Sequence, residues 1–200
     1  MGANLVTIVR NFTISEEEFD REAHDVADGC VTVGRHRVLR FDFLSHNVGD
    51  TDVVVGAPAE RPDLFVWSAG HGHYHLRDFN EFKLFNSDGE QVQTGYKQAF
   101  CLIDVERLDP AARPIAQFTN CNVDQGISAG WADLYGSSLA CQYIVIDGIP
   151  DGDYTLESTT NSRHVVIEDS YADNTIWTGL RIRGNNVTEI SPPWIPRDTP

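Results

Sequence analysis

Three of the seven histidines fall within five residues, in His71-Gly72-His73-Tyr74-His75. Imidazole is a common nitrogen ligand for copper, zinc, iron and nickel, and one short segment carrying three of them can supply most of a coordination shell. On a straight strand the outer two would stand roughly 13 Å apart, near the limit for two rings sharing one ion. A bend at Gly70 or Gly72, residues that tolerate backbone conformations closed to others, would draw the three together. On a helix, His71 and His75 would align while His73 pointed away. The bland reading is a surface run of histidines that binds metal adventitiously. Against it, Leu64-Phe65-Val66-Trp67 and Phe79-Asn80-Glu81-Phe82 flank the cluster with residues that could pack and hold it rigid.

A chain of 200 residues, 41% hydrophobic and 10% aromatic, suits one folded domain with a single core. Residues 1–34 form a divergent N-terminal segment and 191–200 an extended tail. No apolar run approaches the ~20 residues of a membrane span, and Met1-Gly2-Ala3-Asn4 lacks the layout of a secretion signal, so an exported protein would have lost its leader. Thirty acidic residues against fifteen basic ones, a formal charge of −15, argue against a nucleic-acid partner. Such a surface could attract a cationic substrate, a Lys-rich protein or a polyamine, or could serve solubility or tolerance of salt.

Cys30, Cys101, Cys121 and Cys141 show no C-x-x-C spacing, which disfavours a redox motif or zinc knuckle. Two disulfides are the expectation, with four buried thiols as the alternative. A Cys101–Cys121 bridge would be worth roughly 3 kcal/mol through loop entropy. Bridges of this kind imply an oxidising compartment, hence a secreted or extracytoplasmic protein.

The elements that must position these groups read as strands. Arg37–Phe43 alternates, Asn47–Asp50 supplies turn chemistry, and Asp52–Val55 follows, which reads as a strand pair. Asn86-Ser87-Asp88-Gly89 between Phe82–Phe85 and Gln91–Thr94 is a hairpin signal. Further strands are expected at 142–146, 153–157, 163–167 and 178–183, with Pro150-Asp151-Gly152 as a turn. Ser15-Glu16-Glu17-Glu18 fits a capping box that would open a short acidic helix, and periodicity fades between Asp104 and Ala140. The fold class is therefore all-β, a β-sandwich-like core with long ordered loops and at most short helices. Asn11-Phe12-Thr13 and Asn186-Val187-Thr188 match the glycosylation sequon, a pattern too common to weigh.

Several blocks together resemble the catalytic domain of the lysyl oxidases, copper-dependent amine oxidases that carry a lysine tyrosylquinone. His71–His75 matches that family's copper motif, and Leu76–Phe82 continues like its following segment. Gly95-Tyr96-Lys97-Gln98-Ala99-Phe100-Cys101-Leu102 is similar to the block around the cofactor lysine. Gln125–Gly130 leading to Asp133-Leu134-Tyr135-Gly136 is similar to the block around the cofactor tyrosine. The resemblance runs in order from about Arg37 to Ile182. It implies copper on His71, His73 and His75, a quinone cofactor formed from Lys97 and Tyr135, and disulfides Cys101–Cys121 and Cys30–Cys141. It further implies O2 and a primary amine as substrates. The chain departs from animal members in having Gly70 where they have a cysteine, and in lacking the further cysteines that they carry in the loop before Tyr135; a prokaryotic member is expected.

The implied reaction converts a primary amine, free or on a lysine-rich protein, to an aldehyde with release of ammonia and hydrogen peroxide. A redox-active metal is needed for it; zinc, which can occupy such a site in recombinant protein, cannot serve. No motif marks the base; Asp133 and Asp104 are among the candidates, and the sequence does not choose between them. Two readings from other classes stand beside it: a non-catalytic, metal-stabilised binding module at the cell surface, and a hydrolase using a three-histidine zinc site.

Overall fold

The structure, a computed structural model of the chain, describes residues 2–68, 72–95 and 99–196. Within them the architecture is all-β. The first sheet is organised by β2 (Gly34–Asn47), which runs antiparallel to β1 (Leu5–Phe19) along one edge. Its other edge is shared by β11 (Trp131–Tyr135) and β12 (Tyr143–Val145), and β9 (Glu106–Arg107) extends the sheet beyond β11. The second sheet has the order β15 (Asn186–Ile190), β14 (Thr175–Arg183), β13 (Gly152–Thr159), β6 (Glu81–Asn86), β7 (Gln91–Thr94). Two smaller ladders complete the molecule: β4 (Phe65–Ser68), β5 (His73–Arg77) and β8 (Ala99–Phe100) in one, β3 (Val53–Gly56) and β10 (Gln125–Ile127) in the other.

The main sheets face each other across a core of inward side chains, as period-two strands with one apolar face must. Phe82 of β6 packs edge-on against both Phe41 and Phe43 of β2, at ring centroid distances of 5.2 and 5.0 Å. Leu39, Leu84, Leu156, Leu180 and Ile182 are fully buried around them. The Asp88-Gly89 hairpin forms as expected, joining β6 to β7.

Four sequence expectations are corrected. Ser15–Glu18 opens no helix; it lies in β1, where Glu16 pairs with Arg35 and Glu17 makes a two-pronged contact with Arg40, so cross-strand cations outweigh the local capping signal. The only α-helix among the described residues is α1 (His24–Ala27). The segment at Asp52–Val55 does not pair with β2, both of whose edges are already taken, and β3 joins β10 instead. Arg163–Ile167 is irregular, because Asn161 and His164 adopt φ of 46° and 53° and the Asn161 side chain bonds both the N–H and the carbonyl of Val166. Finally, the region where periodicity fades contains β9, β10 and β11; β9 is only two residues long, and β10 and β11 are buried on both faces and show no alternation to read.

Candidate functional site

Gly72 adopts φ +69°, a left-handed conformation that suits glycine, and its N–H bonds the Ser68 carbonyl at 2.8 Å to turn β4 into β5. The bend expected beside the histidines is therefore present. Beyond it, alternation puts His73 and His75 on one face of β5 and Tyr74 on the other, where its ring meets Trp67 edge-on at 5.1 Å. The His73 and His75 Nε2 atoms are 2.9 Å apart. Two nitrogens about 2.0–2.1 Å from one ion stand about 2.9 Å apart at right angles and about 3.3 Å apart in a tetrahedron. The pair thus fits adjacent positions of a square or octahedral shell. His71 lies outside the described residues, and among those described no group of three His, Cys, Asp or Glu side chains is placed to hold a metal.

Sequence reasoning missed the amides that fix this hairpin. Buried Gln125 donates from Nε2 to the carbonyls of Tyr74 and Cys121, 2.9 Å each, and accepts the Leu102 N–H at 3.0 Å. Asn122 accepts the Tyr74 N–H at 3.1 Å and donates to the Gly72 carbonyl at 3.3 Å. The signal was available: Gln125 heads the block that pointed to Tyr135, and a buried amide there must be satisfied by backbone. Gly126 beside it admits no Cβ, which would lie 2.3 Å from the Val53 carbonyl oxygen and 2.7 Å from the Phe118 ring.

Tyr135 ends β11, opposite Phe43 on β2. Its ring stands edge-on to Phe100 at 5.1 Å, and its hydroxyl donates to the Cys101 carbonyl at 3.1 Å. Asp133, two residues earlier on the same face of the strand, is also buried. Burial first, and then the charge of Asp133 and a hydrogen bond to it, raise the phenol well above its ordinary titration range. The group is therefore held protonated. Tyr135, Asp133, His73, His75 and the Cys101–Cys121 pair line one cavity of about 260 Å³. Lys97 lies outside the described residues.

Both expected disulfides are formed, Cys101–Cys121 and Cys30–Cys141, and no described cysteine is free. The thiol alternative is thereby set aside. Of the two carboxylates considered as a base, Asp104 is committed to structure. It accepts the N–H groups of Gln117, Phe118 and Ser128 and the Ser128 hydroxyl, at 2.7 to 3.2 Å.

Residues 6–191 match the family model described as lysyl oxidase. Among curated proteins, the chain is 32% identical over 167 residues to lysyl oxidase homolog 2 of Gallus gallus, covering 82% of this chain and 21% of that protein. It is 31% identical over 156 residues to lysyl oxidase homolog 3 of Homo sapiens, covering 77% and 20%. The chain spans about a fifth of the length of these relatives. Among the described residues no helix is long and apolar enough to cross a membrane.

Proposed function

The chain belongs to the lysyl oxidase family, and from that premise we propose that it is a secreted or extracytoplasmic copper-dependent amine oxidase. It would convert a primary amine, O2 and water to an aldehyde, ammonia and hydrogen peroxide. His71, His73 and His75 would hold the copper, and Lys97 and Tyr135 would together form the lysine tyrosylquinone. When bound, copper supplies the redox chemistry with O2 that protein side chains lack.

The observation that carries the reading is the meeting of Tyr135 with His73 and His75 on the wall of one cavity, from strands some sixty residues apart in sequence. The 2.9 Å separation of the two imidazole nitrogens suits a shared ion. The chain's own groups supply positioning. The Cys101 carbonyl orients the Tyr135 hydroxyl, the Phe100 ring fixes the plane of the phenol, and burial keeps bulk water from it. Lys97 stands three positions before Phe100, at most about 10 Å of extended backbone, so connectivity allows the lysine to reach the ring that Phe100 touches.

The test is aerobic copper loading of metal-free protein, followed by peptide mass spectrometry and a peroxide assay over a panel of primary amines. A covalent link between the Lys97 and Tyr135 peptides is expected, with peroxide release that Lys97→Arg abolishes. Both peptides recovered unlinked, with no quinone staining, would overturn the proposal.

A further inference from the structure

The cavity that holds Tyr135 is graded from polar to apolar. His75, Asp133 and Tyr135 are 5%, 2% and 6% exposed and form its buried end, whereas Val105 and Leu139, at 45% and 44%, form the part that opens to solvent. Ile103, Leu134 and Ala140 continue the apolar wall. The acids on either side of Val105 in sequence do not serve the opening. Asp104 is occupied by its three N–H groups and the Ser128 hydroxyl, and Glu106 is bound to Arg10 Nη2 at 2.5 Å. Among the described residues, Asp133 is the one carboxylate that lines the cavity, and it lies at the buried end.

Resting on the amine-oxidase reading, we infer that this site selects amines bearing one ammonium on an apolar stem, with Val105 and Leu139 as specificity-determining residues. The reacting amine reaches the polar end while the methylenes of its stem lie along the apolar wall, each burying surface that favours binding. A second ammonium at the far end of the stem comes to the half-exposed apolar rim of Val105 and Leu139, where it loses part of its hydration and gains no carboxylate from the described lining. The chain's net charge of −15 attracts dications at long range and works the other way. That attraction is screened at high salt, because the Debye length falls to about 3 Å at 1 M. The single ammonium can belong to a free alkylamine or to a lysine side chain between apolar neighbours; the chemistry at the wall is the same.

The experiment compares 1-aminohexane, 1,6-diaminohexane, and lysine peptides flanked by leucine or by aspartate, on the copper-loaded full chain in 1 M salt. Peroxide release should give kcat/KM about tenfold higher for 1-aminohexane than for the diamine. If the leucine-flanked peptide also outruns the aspartate-flanked one, peptide lysine is a source of the ligand; if 1-aminohexane alone is favoured, the source is a free amine. Both outcomes support the inference. Val105→Asp and Leu139→Asp, at half-exposed positions, should narrow or reverse the ratio. Calorimetric titration of the metal-free chain with the two amines should give the same order of affinity without turnover. A diamine handled as well as 1-aminohexane in both measurements, or a ratio that neither variant moves, overturns the inference. Absence of peroxide from every amine instead sinks the oxidase reading, and the calorimetric order still decides the selectivity.

Discussion

The hydroxyl of Tyr135 donates to the carbonyl of Cys101 at 3.1 Å, and Cys101 is itself bonded to Cys121, whose carbonyl accepts from the Gln125 amide that also holds Tyr74. One staple therefore fixes the phenol and, through Gln125, the histidine hairpin. Replacing both cysteines with serine should cost about 3 kcal/mol, as expected for closing a loop with a sequence separation of 20. It should also weaken copper binding. Urea unfolding and calorimetric copper titration of the double variant check the two effects.

Tyr135→Phe removes one oxygen and leaves the ring against Phe100. The lost hydrogen bond should cost about 1 kcal/mol, a shift of a few degrees in Tm, while peroxide release and quinone staining fall to background. Differential scanning calorimetry beside the peroxide assay separates the two. An equally stable variant with retained turnover would remove Tyr135 from the chemistry.

Alternation along β5 predicts an asymmetric response to mutation. His73→Ala and His75→Ala should each weaken Cu(II) affinity by about 100-fold or more, since a lost ligand should exceed the 10- to 100-fold typical of lost outer-shell partners. Tyr74→Phe, on the opposite face beside Trp67, should leave affinity unchanged. Competition titration against a copper chelator measures all three.

Glu17 and Arg40 meet through two hydrogen bonds of 2.7 Å, with side chains 28% and 16% exposed. The Arg40 hydrogen bond, above all, holds the Glu17 carboxyl below its ordinary range. A depressed carboxyl contributes stability above its unfolded pKa, and that contribution is lost as pH falls through the folded one. Glu17→Gln should therefore cost about 1–2 kcal/mol at pH 7, allowing for partial exposure, with the difference from the parent shrinking as pH falls below the ordinary carboxylate range. Unfolding curves across that range report it.

Asp104→Asn should destabilise the fold by about 2 kcal/mol, because an amide turns two donor hydrogens toward N–H groups that need acceptors. Turnover per folded molecule should stay within about threefold of the parent. Asp133→Asn, beside Tyr135 in the cavity, is the variant expected to lose turnover. Stability curves and rates normalised to folded protein distinguish the two carboxylates.

The legible parts of the chain were those whose information is local. Gly72 supplies the turn that lets the β4–β5 hairpin form, and Asp88-Gly89 specifies the β6–β7 connection. Alternation in Arg37–Phe43 was enough to place β2, and the run 153–157 after the Pro150-Asp151-Gly152 turn marked β13. The opposite held for Ser15–Glu18, where a helix-start pattern lost to arginines on the neighbouring strand, and for Arg163–Ile167, where left-handed Asn161 just before the segment and His164 within it keep the β-branched run from forming a strand. Gln125–Ile127 and Trp131–Tyr135 were opaque because strands buried on both faces lack the polar half of the alternating pattern.

The sequence alone determined an all-β chain, a matched order of blocks, and cysteines suited to bridging, since each follows from side-chain chemistry and short-range spacing. Only the tertiary structure decided which strands share an edge, that Tyr135 faces the same cavity as His73 and His75, and that Asp104 is occupied while Asp133 lines the cavity. Those outcomes depend on packing between segments distant in sequence, where edge availability and the need to satisfy buried polar groups select among arrangements that local pattern leaves equal.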